Sequence, residues 1–260
     1  AIYFATGNGN WNGSTNWSES ILRITADGSS AATGPVDSYT PANHGSLDGG
    51  DTDVGSTGPV ILASPKGATF AHLAAQSGKD GKLRLVDLDN LSGTGTPGNV
   101  GGEAGPIISV PQGGPVFGQP STFVDHADET TWLFVGNGSG LSALKLVLDG
   151  SHNPSLASGW QKPSSEGGHS PLIANAVLFS QRGGLRAYDP VKGSLLWSTT
   201  RISGQHWQSP IVANGVLYTV DNSGNVEAFA NSDTGMRVDA HSGSTTSNLN
   251  GVLEPGETVI

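Results

Sequence analysis

Two segments of this chain repeat nearly the same residues 39 positions apart. Ser170-Pro-Leu-Ile-Ala-Asn-Ala-Val-Leu-Phe179 is matched by Ser209-Pro-Ile-Val-Ala-Asn-Gly-Val-Leu-Tyr218. Each copy is followed by a turn and a second apolar run, at 183–189 and at 224–229. A period of this length, made of short strands and tight turns, is typical of the four-stranded blades of a β-propeller.

The composition agrees with an all-β chain. The 260 residues include 39 glycines and 15 prolines, and only 13% of the residues are charged while 35% are hydrophobic. Disordered chains combine low hydrophobicity with high charge, so this balance argues against disorder. Many short strands with glycine-rich turns are expected instead. The absence of cysteine excludes disulfides and thiolate metal sites.

The strand-like runs group into about five antiparallel units, of which the first and last are incomplete. The clearest unit has its four strands at 170–174, 177–181, 185–189 and 195–198. The first unit contains runs at 2–6, 19–25 and 36–39 that match second, third and fourth strands, and the last unit lacks a clear fourth strand. Because closed propellers have about four to eight blades, we favour part of a seven- or eight-bladed ring. A self-contained five-bladed ring is the alternative.

Residues 1–230 are therefore predicted to form propeller blades, and residues 231–260 a tail that leads into a further β module. The chain begins inside a strand-like run and ends in another, at Thr258-Val-Ile260. We expect it to be the C-terminal part of a longer polypeptide, with missing N-terminal blades or a second chain as partner.

The net charge of −10 makes nucleic acid and anionic membrane surfaces poor partners. No run of 18 apolar residues is present, so no membrane insertion is expected. The low lysine content and the surface rich in Asn, Ser and Thr favour a secreted or periplasmic bacterial protein.

The blade sequence resembles the repeat of pyrroloquinoline quinone (PQQ)-type β-propellers, the quinoprotein alcohol dehydrogenase-like superfamily. In that repeat a first strand ends in A-N/D-G and a third strand reads L-x-A-x-D, as Leu185-Arg-Ala-Tyr-Asp189 does here. The T-G-x-x-x-W ending corresponds to Val191-Lys-Gly-Ser-Leu-Leu-Trp197. The resemblance covers residues 1–230 and implies the propeller fold.

Three local motifs extend the resemblance to a candidate site. Tyr3-Phe-Ala-Thr-Gly-Asn8 is similar to the family's T-G-N segment, whose asparagine helps to hold calcium beside the quinone. Tyr39-Thr-Pro41 with Asp51-Thr-Asp-Val-Gly55 is similar to the segment that carries the catalytic aspartate. Gly78-Lys-Asp-Gly81 is similar to the turn whose lysine bonds the quinone oxygens.

These motifs imply roles for particular residues. Asp53, or Asp51 as second choice, would be the base that removes the alcohol proton, and Lys79 would stabilise charge on the quinone oxygen. Oxygen ligands for calcium would come from Asn8, Asp48, Asp51 and Asp53. His206 and Trp207 precede an inner strand, which predicts a position near the propeller mouth where they could stack on a cofactor.

Structural interpretations compete with each of these roles. Asn8 in Gly-Asn-Gly and Lys79 in Lys-Asp-Gly also fit ordinary turns. The acidic group at positions 48, 51 and 53 fits a structural calcium loop, a plain polar loop or a catalytic base. Trp207 also fits core packing between blades.

Two functions remain. The first is a scaffold that binds a small-molecule or protein ligand at the propeller face. The second is a quinoprotein dehydrogenase that oxidises an alcohol or sugar with PQQ and calcium. Because the family's calcium-binding glutamate and quinone-stacking tryptophan precede the T-G-N segment, outside this sequence, we favour the scaffold.

Overall fold

A computed structural model describes residues 1–32, 34–204, 208–232 and 237–242 of the chain. Within these ranges the regular structure is nearly all β, and one α-helix, α1, spans His44–Gly49. The strands are β1 Ile2–Ala5, β2 Ile21–Ile24, β3 Asp37–Tyr39, β4 Val60–Leu62, β5 Leu73–Ser77, β6 Lys82–Asp87, β7 Ile108–Ser109, β8 Ser121–Asp125, β9 Thr130–Asn137, β10 Gly140–Leu148, β11 Pro154–Lys162, β12 Leu172–Ala174, β13 Val177–Gln181, β14 Leu185–Tyr188, β15 Leu195–Thr199, β16 Ile211–Ala213, β17 Val216–Val220, β18 Val226–Ser232 and β19 Arg237–Ser242.

The strands form five antiparallel sheets in which every strand pairs with its neighbours in sequence. The first sheet has the order β1-β2-β3, and the other four have the orders β4-β5-β6-β7, β8-β9-β10-β11, β12-β13-β14-β15 and β16-β17-β18-β19. Consecutive strands are joined by short local connections, which produces this up-and-down meander. The predicted four-stranded units are confirmed, and so is the three-stranded first unit.

Tight turns with positive φ angles join the first two strands of the repeated units. Asn214 and Gly215 have φ values of 51° and 79°, which is the pattern of a type I′ hairpin turn. Asn175 and Ala176 occupy the equivalent turn with φ values of 48° and 57°. The repeated Ala-Asn-Gly or Ala-Asn-Ala sequence therefore sets the register of each inner hairpin.

Four apolar clusters lie between the five sheets, one in each successive gap. On β9, for example, Leu133 and Val135 face the second sheet, whereas Trp132 and Phe134 face the fourth. Alternate side chains of a strand point to opposite faces, so a sheet with neighbours on both sides buries both sets. This accounts for the almost continuous apolar run of β9, in which Leu133, Phe134 and Val135 are fully buried.

The two terminal sheets have one covered face each. Ile2 and Phe4 on the first sheet are 45% and 39% exposed, and Ile211 and Val226 on the fifth are 58% and 63% exposed. Among the described residues, no apolar cluster joins the fifth sheet to the first. The ring of sheets is therefore not closed within the part of the chain that the structure describes.

The five sheets lie around a central channel. β4 contacts β8, and β8 contacts β12, so the first strands of successive sheets are neighbours. A cavity of about 630 Å³ is lined by β1 and by the residues that enter the first strands of the other four sheets. Sheets that pack face to face around a shared channel form a β-propeller.

The last sheet extends past the predicted boundary at residue 230. β18 crosses that position, and β19 pairs with it along Arg237–Ser242 as a fourth strand. The repeat does not reveal this strand, because its apolar residues are only Val238 and Ala240, whereas its counterpart β15 begins Leu195-Leu-Trp197. Residues 243–260 lie outside the described residues, so the further β module stays a prediction. No helix in the described ranges has the length and hydrophobicity needed to cross a membrane.

Candidate functional site

Three of the predicted site residues meet beside the channel. The Lys79 ammonium lies 2.8 Å from Asp51 Oδ1 and 2.6 Å from Asp53 Oδ2. Hydrogen bonds to Asp51 and then to Asp53 raise the pKa of Lys79 above its ordinary value. Lys79 is therefore a firmly charged group held between two carboxylates that are 28 and 26 positions away in the sequence.

Hydrogen bonds and close packing between the 52–57 loop and the end of β5 bring these residues together. The Lys79 N–H donates to the Asp53 carbonyl at 2.9 Å. The buried side-chain amide of Gln76 donates from Nε2 to the Val54 carbonyl at 2.9 Å. A side chain at Gly78 would place its Cβ 2.6 Å from the Asp53 carbonyl oxygen. Glycine at position 78 therefore permits the close approach that places Lys79 beside the aspartates.

The Asp51 and Asp53 carboxylates differ in their exposure to solvent. The Asp51 side chain is 77% exposed and that of Asp53 is 12% exposed. Asp51 has a φ of 52°, a left-handed conformation that Asp tolerates better than most residues. It directly follows the turn that ends α1, where the Thr52 N–H donates to the Leu47 carbonyl at 3.0 Å. The short helix and the buried Leu47 thus fix the direction of the loop.

A pocket of about 680 Å³ opens at this cluster. Its walls combine the charged groups with hydroxyl and apolar side chains: Asp51, Thr52, Asp53, Ser56, Lys79, Pro115 and Phe117. Ser56 and Phe117 also line the channel cavity, so the two spaces adjoin. The volume is in the range of small-molecule sites.

Glu19 lies behind Asp53 and is completely buried. Its Oε2 accepts a hydrogen bond of 2.8 Å from the Val54 N–H. Its Oε1 and Asp53 Oδ1 are both buried with no hydrogen-bond partner in the described structure. Burial, followed by the charges of Asp53 and Asp48, raises the pKa of Glu19 against the opposing effect of the Val54 bond. A protonated Glu19 would supply the donor that this carboxyl pair lacks.

The other two candidate metal ligands, Asn8 and Asp48, lie where the N-terminal loop meets α1. The Asn8 amide donates to the Asp48 carbonyl at 3.0 Å, and Asp48 Oδ1 accepts from the Gly9 N–H at 2.7 Å. Asn8 therefore presents its amide nitrogen here, whereas calcium needs the oxygen. Among the described residues, no group of three or more His, Asp or Glu side chains is placed to share a metal ion. The calcium site stays a prediction.

The predicted cofactor contacts His206 and Trp207 lie outside the described residues. The sequence does not identify four residues that line the pocket, namely Thr52, Ser56, Pro115 and Phe117. It does not identify the buried Glu19 behind Asp53 either. Phe117 precedes a first strand, as His206 and Trp207 do, so the same positional argument could have found it. Glu19 carries no such signal, because it stands between two serines at the start of the predicted strand run 19–25.

The site can bind both hydrogen-bond acceptors and donors. A lysine ammonium has three N–H donors, and the two aspartates account for two of them. The third can serve a ligand oxygen in the pocket. The exposed Asp51 carboxylate accepts from ligand hydroxyl or amino groups, and Phe117 and Pro115 offer an apolar wall.

No protein-family model matches the chain, and no curated protein matches it. Among solved structures, the BamB of Moraxella catarrhalis is similar at 14% identity and a TM-score of 0.48, over 81% of this chain and 52% of that one. The quinohemoprotein alcohol dehydrogenase ADHIIG of Pseudomonas putida HK5 is similar at 14% identity and a TM-score of 0.45, over 82% of this chain and 38% of that one. The chain thus spans about half or less of these proteins. The propeller assignment rests on its own five sheets and their shared channel.

Proposed function

We propose that this chain is part of a secreted or periplasmic bacterial β-propeller scaffold that binds a ligand at the pocket beside Lys79. The observation that supports this proposal is the ion-paired Lys79 at the opening of a space of about 680 Å³. Its donors, carboxylate acceptors and aromatic wall fit a small hydroxyl-rich ligand.

Charge supports a neutral or cationic ligand over an anionic one. Asp51 and Asp53 together outweigh Lys79 by one negative charge, and the whole chain has a net charge of −10. Because field lines in a cleft follow the charges that line it, a polyanion would be repelled. A sugar carries no charge, so it would not be repelled, and it offers hydroxyl groups and an apolar ring face.

Glucose is a suitable probe for this class of ligand. We expect saturation-transfer NMR to detect contact between the protein and glucose protons in the wild type. The contact should be lost in Lys79→Met and in Phe117→Ala, and kept in the matched control Lys66→Met, which changes a lysine outside the pocket. An absent signal, or a signal that both pocket variants retain, would contradict the proposal; circular dichroism checks that the variants fold.

A PQQ-dependent dehydrogenase of the quinoprotein type is the second candidate. The convergence of Asp51, Asp53 and Lys79 favours it, since the resemblance implied these residues jointly. When bound, the quinone would supply the two-electron oxidant and calcium would polarise it. In this chain Asp53 would accept the alcohol proton, Asp51 and Asp53 would hold Lys79 in place, and Lys79 would donate to a quinone oxygen.

Dye reduction separates the two candidates. The scaffold predicts no reduction of an electron-accepting dye when PQQ, calcium and ethanol or glucose are added to the full chain. Reduction that is present in the wild type and lost in Asp53→Asn would instead establish the dehydrogenase.

A further inference from the structure

We propose that Lys162, Arg182 and Arg186 form a binding site for the phosphate group of a small ligand, at the gap between the third and fourth sheets. The site lies on the same face of the propeller as the Lys79 pocket, because Arg182 and Lys79 both stand in turns that join the second and third strands of their sheets. The proposal does not depend on ligand binding at Lys79.

Positive charge is concentrated in this part of the chain. Residues 160–201 contain five basic and two acidic residues, in a chain whose net charge is −10. Among the described residues, Lys162, Arg182 and Arg186 make no ion pair with a carboxylate. All three side chains are partly buried, so their charges are held at the surface in fixed places. Cations without a carboxylate partner attract anions to such a surface.

Tyr188 lies at the centre of these groups. The Lys162 ammonium is 5.3 Å from the centroid of the Tyr188 ring, and the Tyr188 hydroxyl donates to Glu166 Oε2 at 2.8 Å. Burial, followed by the bond to Glu166, raises the pKa of Tyr188, and the charge of Arg186 opposes this rise. Lys162 of the third sheet and Arg186 of the fourth therefore both lie close to one buried phenol.

Arg182 adds a second guanidinium group beside Arg186. Arg186 Nη1 donates to the Arg182 carbonyl at 2.8 Å. The Arg182 side chain reaches towards the third sheet, where its Nη1 lies 3.6 Å from the position of a Cβ at the exposed Gly138. Among the described residues, the Arg182 guanidinium has no hydrogen-bond partner, so its N–H donors are available to a ligand.

The number and type of charges fit a phosphate group. Arginine binds phosphate oxygens through paired N–H donors, and lysine adds a point charge. The three cations exceed the single charge of Glu166 by two, and a phosphate monoester carries about −1.5 to −2 charges at pH 7. A long polyanion fits less well, because it would extend over the rest of this acidic chain.

Inorganic phosphate is the probe, and the side-chain N–H signals of Arg182 and Arg186 in heteronuclear NMR are the readout. The shifts should saturate with phosphate, whereas sodium chloride at equal ionic strength should only screen the charges. Arg182→Gln should weaken binding about tenfold and leave the melting temperature unchanged, because its side chain makes no bond in the fold. Lys192→Gln is the matched control, since Lys192 is 77% exposed and faces Asp189, and it should bind phosphate like the wild type.

Glu166→Gln should instead strengthen binding. The glutamine oxygen can still accept from the Tyr188 hydroxyl, and the loss of one negative charge should raise phosphate affinity about fivefold. Shifts that do not saturate, or an affinity that neither Arg182→Gln nor Glu166→Gln changes, would overturn the proposal. A single-stranded DNA oligomer that shifts the same arginine signals more strongly than phosphate at equal phosphate concentration would also overturn it, because the surface would then belong to a polyanion.

Discussion

At the scale of single residues, the site depends on carboxylates with unequal environments around one lysine. Asp51 is exposed, Asp53 is nearly buried and Glu19 is fully buried behind it. The side chains that face Glu19 are Asp53 and Asp48, which are both acidic, and Lys79 is bound by Asp51 and Asp53. Glu19 therefore holds its proton to higher pH than an exposed glutamate.

This proton makes stability depend on pH in a defined direction. The pKa of Glu19 is raised above its ordinary value of 4.5 in the folded protein, so the folded state binds more protons than the unfolded state above that pH. The free energy of unfolding should therefore fall as pH rises from about 4.5 through the raised pKa. Urea unfolding at several pH values between 4 and 8 measures this slope.

Glu19→Gln should flatten that slope. The glutamine oxygen can still accept from the Val54 N–H, and its amide supplies a donor for the unpartnered Asp53 Oδ1. We expect the variant to be more stable than the wild type by about 1 kcal/mol at pH 8. Glu129→Gln, on an exposed turn, is the control; an equal slope in Glu19→Gln and the wild type would contradict the buried-proton interpretation.

At the scale of elements, tight backbone contacts decide where the loops lie. Gly78→Ala would place a Cβ 2.6 Å from the Asp53 carbonyl oxygen and 2.9 Å from Val54 Cα, so the loop or β5 must shift. We expect a loss of about 1–3 kcal/mol in unfolding free energy together with loss of glucose contact. Gly45→Ala lies in α1 with nothing within 4 Å and should be neutral or slightly stabilising in the same unfolding measurement.

The two copies of the inner hairpin give a matched pair of turn variants. Ala176 has a φ of 57° where its counterpart Gly215 has 79°, and a left-handed conformation costs a residue with a Cβ roughly 1–2 kcal/mol. Ala176→Gly should therefore stabilise the chain by up to about 1 kcal/mol, and Gly215→Ala should destabilise it by a similar amount. Changes of melting temperature in opposite directions would support the shared turn type, and changes in the same direction would contradict it.

Packing between sheets should carry most of the stability. Phe134 is fully buried between the third and fourth sheets, and Phe134→Ala should cost about 3–5 kcal/mol of unfolding free energy. Leu195 is 54% exposed, so Leu195→Ala should change the free energy by no more than about 0.5 kcal/mol. A small effect at Phe134 would contradict the face-to-face packing of these sheets.

The sequence predicts the inner hairpins best and the loops least. The repeated Ser-Pro and Ala-Asn segments mark strands β12, β13, β16 and β17 within about two residues. α1 lies beside the acidic positions 48, 51 and 53, where the sequence predicts a loop. Gly and Asp are poor helix formers, so only tertiary contacts such as buried Leu47 fix this turn. β19 is not predicted either, because Val238 and Ala240 are a short apolar pattern with no copy of the Leu195-Leu-Trp197 segment of β15.

At the scale of the whole molecule, the propeller topology explains how distant motifs form one site. The residues of the candidate cluster come from positions 51 to 79, whereas Phe117 enters from the next sheet. Lys79 and the aspartates are predicted together because two family-like motifs, at 78–81 and at 51–55, carry them. The partners that complete the pocket depend on how the first strands surround the channel, which no local pattern encodes.

The shared channel is the central claim, and one labelling measurement tests it directly. The chain has no cysteine, so Ser209→Cys carries a single spin label at the channel cavity. We predict paramagnetic broadening of the backbone amide signals of Ala5, at the end of β1, and of Ser56, Phe117 and Ser170, which precede the first strands of the second, third and fourth sheets. Broadening confined to the fourth and fifth sheets, with Ala5 and Ser56 unaffected, would contradict the arrangement of these sheets around one channel.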